Sequence, residues 1–206
     1  MNSTPAFKSN SFQSSTFQSS TFKIAFIGSH GVGKTTLCYG LAARLKAADS
    51  SLDVVGEVAR RCPLPINRGT TLAAQSWILH SQIAEEIVAG SRYDVVICDR
   101  SVLDNFVYLL LSSGPQPELE HLVDGWTKTY DLLVHVPITQ NPRADGLRST
   151  DPIFQRAVHE RLNQEIQRRN IPVMELEGMP REAWLDRVEA YVADQLSHGQ
   201  LELPGD

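Results

Sequence analysis

The chain has 206 residues, of which 42% are hydrophobic and 21% are charged. This length and composition predict one globular domain with a sizeable core and argue against wholesale disorder. No apolar run approaches the roughly 18 residues that a membrane span needs, so we expect no membrane-spanning segment. The formal net charge of −5 argues against a general nucleic-acid binder, because such domains are usually basic.

The cysteines give an expectation about the compartment. Cys38, Cys62 and Cys98 lie far apart in the sequence and form no CxxC pair. This spacing argues against both a zinc site and a disulfide scaffold. A reducing cytoplasm is therefore the simplest expected location.

Residues 1–21 differ in composition from the rest of the chain. They are rich in Ser, Thr, Asn and Gln, and they repeat the pentapeptide FQSST at 12–16 and 17–21. Such a segment buries too little apolar surface to offset the entropy of ordering, and it lacks the apolar stretch of a secretory signal. We therefore predict a disordered tail at 1–21, one domain at 22–197 and a C-terminal tail at 198–206.

Apolar runs alternate with helical periodicity along the rest of the chain. In chain order, we predict strand 22–27, a helix carrying Leu37, Leu41 and Leu45 on one face, strand 52–55, a helix capped by Thr70 or Thr71 that ends near residue 89, and strand 94–98. The second half continues with helices at 102–111 and 117–128, strand 131–136, a helix that begins at Asp151 and Pro152, strand 172–176 and a helix at 180–196.

Strands that alternate with helices predict an α/β fold, in which a parallel sheet is covered by helices on both faces. Ligands of such folds gather at the carboxyl ends of the strands. Gly28, Glu57, Asp99 and Pro137 each follow a predicted strand. We therefore expect these distant residues to converge at one edge of the sheet.

Residues 28–35, GSHGVGKT, match the phosphate-loop pattern GxxxxGK(S/T) in full, between a strand and a helix. The glycines let backbone N–H groups point at phosphate oxygens, and the helix adds its positive N-terminal end. Lys34 can then reach the β- and γ-phosphates, and Thr35 can ligate Mg²⁺. The predicted nucleotide-binding residues are Gly28, Ser29, His30, Gly31, Val32, Gly33, Lys34, Thr35 and Thr36, with His30 interpreted mainly as a spacer.

The nucleotide is expected to be ATP. A GTPase would show an NKxD or TKxD motif late in the sheet, and the TKTY sequence at 127–130 fails at its fourth position. It also precedes a predicted strand instead of following one.

An acid and an arginine follow the third predicted strand. Asp99 ends the apolar run VVIC, which is the pattern of a carboxylate that holds Mg²⁺ directly or through water, and Arg100 comes next. We predict a metal-binding role for Asp99 and a catalytic role for both residues. The alternative interpretation is that Asp99 caps the following helix.

Glu57 follows the second predicted strand and can face a phosphoryl acceptor across the cleft. It could accept a hydroxyl proton or hold the metal through water, so we include it among the catalytic candidates. The alternative is a solvated loop acid paired with Arg60.

The segment after the fourth strand, NPRADGLR at 141–148, has a glycine between two arginines. This pattern suits a lid in which Arg143 and Arg148 neutralise charge on the transferred phosphoryl group. An Arg-rich solvated helix face is the alternative interpretation.

These motifs together resemble the AAA-type domain of nicotinamide-riboside-kinase-like P-loop proteins, a group similar to deoxynucleoside and thymidylate kinases. The resemblance rests on the segments 28–35, 57–60, 98–101 and 145–148 and on the helix that carries Gln75, and it spans roughly residues 22–195. It implies a P-loop NTPase fold, a three-layer α/β/α sandwich with a five-stranded parallel sheet and a helical lid. It also implies ATP and Mg²⁺ as cofactors and a small-molecule phosphoryl acceptor. The chain departs from the usual pattern after strand two, where Glu57-Val58 replaces Glu-Pro.

The resulting hypothesis is a kinase that transfers the γ-phosphoryl group of ATP to a nucleoside, a nucleotide or a pyridine riboside. One alternative is an ATPase or GTPase switch that acts through protein contacts. Another is a polynucleotide kinase, which the acidic composition disfavours. The sequence leaves the oligomeric state open, with a homodimer among the options.

Overall fold

The computed structural model describes residues 21–66, 69–141 and 151–201, without side chains for 198–201. Within these ranges the strands and helices alternate along the chain. The strands are β1 (Phe22–Ile27), β2 (Leu52–Val55), β3 (Val95–Cys98), β4 (Leu132–His135) and β5 (Met174–Glu175). The helices are α1 (Lys34–Ala47), α2 (Leu72–Gly90), α3 (Val102–Ser113), α4 (Pro117–Thr127), α5 (Pro152–Arg169) and α6 (Trp184–Leu201).

The strands form one parallel sheet in the order β2-β3-β1-β4-β5. β1 occupies the centre, and its register pairs Ala25 with Cys98 on one side and Leu133 on the other. β5 is shorter than predicted, since its pairing begins only at Met174. Pro172, at the start of the predicted strand, has no N–H to donate to a sheet ladder.

Helices cover both faces of the sheet, which confirms the three-layer α/β/α architecture. Alternate residues of β1 point to opposite faces, so Ile24 and Phe26 pack with α1 and α6, including the buried Trp184. Ala25 and Ile27 pack with α2, α3, α4 and α5 on the other face. Every residue of β3 and β4 is buried, as expected for a parallel sheet between two helix layers.

Two predicted helix starts are confirmed by their caps. The Thr71 side chain accepts a hydrogen bond from the N–H of Ala74, and the Asp151 side chain accepts one from Ile153, with Pro152 in the first turn. A 3-10 turn at 181–183 precedes α6, which continues to Leu201. No helix in the described part of the chain is both long and apolar enough to cross a membrane.

The predicted division of the chain into a domain and two tails remains a prediction. Residues 1–20 and 202–206 lie outside the described residues. Thr21 already belongs to the fold, because its hydroxyl donates to the carbonyl oxygens of Gly90 at 2.8 Å and Tyr93 at 3.0 Å.

Candidate functional site

The polar residues that follow the strands meet at the carboxyl edge of the sheet. The Thr35 hydroxyl contacts Asp99, and Arg100 contacts Glu57, although their partners lie 64 and 43 residues away in sequence. The backbone after β4 also reaches this edge, where the Val136 N–H donates to the Ile27 carbonyl at 2.9 Å. The predicted convergence of these segments is therefore present in the structure.

The glycines of the phosphate loop have the backbone geometry that the motif requires. Gly28, Gly31 and Gly33 have φ angles of 143°, 78° and 104°, in a region that other residues rarely adopt. A Cβ atom at Gly28 would lie 2.6 Å from the carbonyl oxygen of Val136. The loop thus passes so close to the chain after β4 that only glycine fits at its first position.

Lys34 lies inside the loop, with only 5% of its surface exposed. Its Nζ donates to the carbonyl oxygens of Gly28 at 2.8 Å and Ser29 at 2.6 Å. Burial, together with the nearby Arg100, lowers the pKa of Lys34 from 10.5 to about 7, although carboxylates at the site oppose the shift. A buried amine whose hydrogen bonds go to two carbonyl oxygens, and not to a carboxylate, is poised to bind an anion.

The other loop residues divide between packing and exposure. Ser29 and Val32 are buried, and Val32 packs into the core between α1 and α6, so its side chain supports the loop. Thr36 is exposed at the start of α1, and Gly31 is half-buried.

His30 is more than the spacer that the sequence suggested. Its Nδ1 lies 3.1 Å from the hydroxyl of Tyr108, and its ring stacks on Phe154 with centroids 5.7 Å apart. Its carbonyl oxygen accepts a hydrogen bond from Gln155 Nε2 at 2.8 Å. The side chain therefore ties the phosphate loop to α3 and α5.

The Thr35 hydroxyl donates to Asp99 Oδ2 at 2.6 Å. This pair joins a hydroxyl and a buried carboxylate beside the phosphate loop, and both are oxygen ligands of the kind that Mg²⁺ prefers. No group of three His, Cys, Asp or Glu side chains that could hold a metal occurs in the part of the chain that the structure describes. A hydroxyl and one carboxylate still fit Mg²⁺, because nucleotide phosphates and waters usually complete its coordination.

The alternative interpretation of Asp99 as a helix cap is wrong. The cap of α3 is Ser101, whose Oγ accepts from the N–H groups of Leu103 at 3.1 Å and Asp104 at 3.3 Å. Asp99 lies before this cap, and its side chain faces Thr35 instead.

Arg100 and Glu57 form a buried ion pair. The Nε and Nη2 atoms of Arg100 donate to Glu57 Oε1 at 2.9 and 2.7 Å, and each side chain is 6% exposed. Burial opposes the charge of Arg100, but Glu57 and other neighbouring groups outweigh it and raise the pKa well above its usual value. Arg100 therefore stays a cation at this edge of the sheet.

Glu57 also pairs with Arg60, whose Nε donates to Glu57 Oε2 at 2.9 Å. The predicted alternative of a Glu57–Arg60 pair is thus present. The predicted solvent exposure of the carboxylate is not, because Glu57 is buried between two guanidinium groups. This arrangement fixes the carboxylate in place.

The backbone at Arg100 is strained. Its φ of 114° is one that non-glycine residues rarely adopt, and such outliers cost on the order of 1–3 kcal/mol. The guanidinium carbon lies 5.1 Å from the centre of the Tyr108 ring, which adds a cation–π contact. Strain of this kind tends to persist where the surrounding structure imposes it.

Asp104 is a site residue that the sequence analysis missed. Its Oδ1 accepts from the N–H of Gly28 at 2.9 Å, and its Oδ2 accepts from both the N–H and the hydroxyl of Ser101. One buried carboxylate thus joins the first residue of the phosphate loop to the start of α3. The available signal was the spacing Ser101-x-x-Asp104, the pattern of a capping box.

The two lid candidates, Arg143 and Arg148, lie outside the described residues. The lid therefore stays a prediction. The described chain resumes at Asp151, which caps α5.

Comparisons with known proteins agree with this arrangement. A family model described as an AAA domain matches residues 23–183. A comparison with curated protein sequences finds no significant match. Among solved structures, thymidylate kinase from Ehrlichia chaffeensis matches with a TM-score of 0.60 and 17% identity, covering 85% of this chain and 98% of that one.

A second solved structure, deoxyadenosine kinase from M. mycoides with bound dATP, matches with a TM-score of 0.56 and 12% identity. The match covers 84% of this chain and 99% of that one. At these identities the likeness concerns the fold, and it confirms the resemblance to P-loop kinases that the motifs suggested. The chain belongs to the AAA-domain family, and its fold is that of P-loop nucleoside and nucleotide kinases.

Proposed function

We propose that the protein is a kinase that transfers the γ-phosphoryl group of ATP to a hydroxyl group of a small nucleoside, nucleotide or pyridine riboside. The observation that carries this proposal is that two pairs of side chains, which we call two units, lie at the same edge of the sheet. One unit, Thr35 with Asp99, suits Mg²⁺, and the other, Arg100 with Glu57, holds a buried cation and a carboxylate beside it.

The first unit would serve the nucleotide. Backbone N–H groups of residues 28–35 and the N-terminal end of α1 would bind the phosphates. Lys34 would leave its two loop carbonyls and bind the β- and γ-phosphates, while Thr35 and Asp99 would hold Mg²⁺. When bound, the metal would neutralise negative charge on the phosphoryl oxygens.

The second unit would serve the transfer. Arg100 is a buried, permanently charged group, so it can stabilise negative charge on the transferred phosphoryl group. Glu57 or Asp99 would accept the proton of the attacking hydroxyl, and Glu57 additionally fixes the guanidinium. Arg143 and Arg148 would complete the site as lid arginines.

The similar structures support a small acceptor. The solved structures with the same fold are named as a thymidylate kinase and a deoxyadenosine kinase, and the match covers nearly the whole of each of those chains. A separate observation concerns the compartment: the cysteines of this chain are free thiols, which agrees with our proposal of a cytoplasmic enzyme.

The test is a screen for ADP release from MgATP with nucleosides, nucleotides and nicotinamide riboside as acceptors. We expect one acceptor class to stimulate turnover, with the phosphorylated product confirmed by mass spectrometry. Lys34→Ala and Asp99→Asn should abolish the stimulation. Arg44→Ala, which removes surface contacts to Asp186 and Glu189, should retain it.

A slow hydrolysis that no acceptor stimulates would overturn the kinase proposal. If nucleotide state also changed the affinity for a protein partner, the same result would favour a nucleotide-dependent switch. Turnover only with polynucleotide ends would favour a polynucleotide kinase.

A further inference from the structure

The turn at residues 99–102, which we call the Arg100 turn, is held by side chains that lie away from the site. Arg100 has a φ of 114°, so this turn needs support that an ordinary turn does not. Its first and third N–H groups have nearby partners, since Asp99 donates to the Val55 carbonyl and Ser101 donates to Asp104. The carbonyl group of Arg100 and the N–H of Val102 contact side chains that lie further into the protein.

Those two contacts come from α2 and from the segment between α4 and β4. Gln82 Nε2 donates to the carbonyl oxygen of Arg100 at 3.3 Å. The N–H of Val102 donates to the hydroxyl oxygen of Tyr130 at 3.0 Å. Both sides of the strained residue are thus fixed by buried side chains from other elements.

Gln82 and Tyr130 share a third partner, Glu86. Glu86 Oε1 accepts from Gln82 Nε2 at 2.9 Å and from the Tyr130 hydroxyl at 2.6 Å. Its Oε2 accepts from Lys23 Nζ at 3.2 Å and from Trp126 Nε1 at 2.7 Å. We call these five residues the Glu86 cluster; Glu86, at its centre, is buried.

The cluster carries a buried ion pair between Lys23 and Glu86, with side chains 10% and 0% exposed. Burying such charges is costly, and a well-packed apolar group of the same volume is often at least as stabilising. Stability alone is therefore a weak reason for this arrangement. A polar cluster that fixes one backbone geometry is a better physical reason, because each of its hydrogen bonds is directional.

The cluster cannot contact the phosphates itself. Lys23 lies at the second position of β1, at the opposite end of that strand from the phosphate loop, and its Nζ also donates to Thr129. The hydrogen bonds of Gln82 and Tyr130 connect the cluster to the site through the Arg100 turn. There the guanidinium donates two hydrogen bonds to Glu57 Oε1 and lies over the Tyr108 ring.

We propose that Glu86, Gln82 and Tyr130 are positioning residues, which hold the Arg100 turn in its strained geometry and so fix the place of the Arg100 guanidinium. This inference rests on the proposed function for its effect on phosphoryl transfer. The effect on Arg100 itself is independent of any activity.

The test compares two substitutions that each remove one hydrogen bond to Glu86. Tyr130→Phe removes a hydroxyl that also accepts from Val102, whereas Trp126→Phe removes a donor with no contact to the Arg100 turn. Gln82→Met is a second variant that releases the Arg100 carbonyl. Thermal unfolding of each variant is measured first, so that the comparison is made between folded proteins.

The first readout is the NMR signal of the Arg100 Nε–H, which donates to Glu57 at 2.9 Å. We expect its exchange with solvent to rise by about tenfold or more in Tyr130→Phe and Gln82→Met, and to stay unchanged in Trp126→Phe. Unchanged exchange in Tyr130→Phe and Gln82→Met would overturn the proposal.

The second readout is kinetic and uses the acceptor found in the screen above. Misplacement of Arg100 should lower kcat by about 10- to 100-fold in Tyr130→Phe and Gln82→Met. KM for ATP should stay within about twofold, because Arg100 is not part of the phosphate loop. A rise in KM without a fall in kcat would contradict a positioning role.

The two readouts separate this proposal from the proposed function. If wild-type protein phosphorylates no acceptor, the kinase proposal fails, yet the NMR comparison still decides whether the cluster positions Arg100. If kcat fell equally in Tyr130→Phe and Trp126→Phe, and in proportion to the fall in melting temperature of each variant, the cluster would contribute only stability.

Discussion

Nucleotide binding should take up a proton, because Lys34 is largely neutral in the free protein above neutral pH. Burial lowers its pKa from 10.5 to about 7, with Arg100 contributing in the same direction. A bound triphosphate would place negative charge beside Nζ and return the pKa toward its ordinary value. The amine would then regain a proton on binding.

The size of the effect follows from this pKa. At pH 8 an amine with a pKa of about 7 is only about one-tenth protonated, so binding should take up about 0.9 proton per nucleotide. The apparent Kd for MgATP should rise about tenfold between pH 8 and pH 9, since each pH unit there corresponds to about 1.4 kcal/mol. The terminal phosphate, with a pKa near 6, is already ionised in this range.

Isothermal titration calorimetry in buffers of different ionisation enthalpy measures this uptake directly. Lys46→Met changes an exposed lysine in the last turn of the same helix and should retain the uptake. Lys34→Arg should show none if it binds at all, because an arginine stays charged. Binding enthalpies that do not depend on the buffer would refute the argument.

The same shift has a consequence for stability, with a sign that can be checked. Between pH 7 and 10.5 the unfolded chain keeps a proton on Lys34 that the folded chain has lost. The contribution of Lys34 to the free energy of unfolding therefore rises with pH through this window. Wild type should gain stability relative to Lys34→Met over that range when no nucleotide is present.

Three further outcomes are expected. Asp99→Asn should lower Mg²⁺-dependent turnover by about 100-fold or more while ATP affinity measured in EDTA stays similar, because the amide keeps the shape but loses the charge that holds the cation; equal losses in both assays would exclude the metal role. Arg143→Ala and Arg148→Ala should lower kcat more than they raise KM for ATP, with a loss on the order of 10³-fold for a principal lid arginine; wild-type kcat in both would exclude the lid. Gly28→Ala should lower the melting temperature and weaken ATP binding, since its Cβ would lie 2.6 Å from the Val136 carbonyl oxygen; an unchanged melting curve would contradict this.

Local sequence signals predicted the elements well because each signal acts over a few residues. The run at 22–27 and the glycine after it gave β1 and the phosphate loop, and the caps at Thr71 and Asp151 gave two helix starts. The motif glycines have the positive φ angles that their pattern requires. These features depend on sterics and on hydrogen bonds to near neighbours, so one short segment contains all the information.

The strand order could not be predicted in the same way. β3 and β4 are buried on both faces, so their apolar residues contain no alternation that would identify a neighbour. The order β2-β3-β1-β4-β5 is what places Glu57 beside Arg100. Their ion pair therefore could not be predicted from their spacing in the sequence, although both residues were catalytic candidates.

The charges at the site explain why the binding of an anion should affect Lys34 more than the other charged residues. Asp104 is held by N–H and hydroxyl donors, and Arg100 is held by the carboxylate of Glu57. Lys34 donates to two carbonyl oxygens, whose partial charges compensate an ammonium less well than a carboxylate does. An arriving anion therefore gains most from Lys34, and the ion pair that fixes Arg100 can stay intact while Lys34 changes partners. In the proposed kinase, Arg100 would be a preformed cation for the transferred group, and Lys34 would be the amine whose protonation changes when the nucleotide binds.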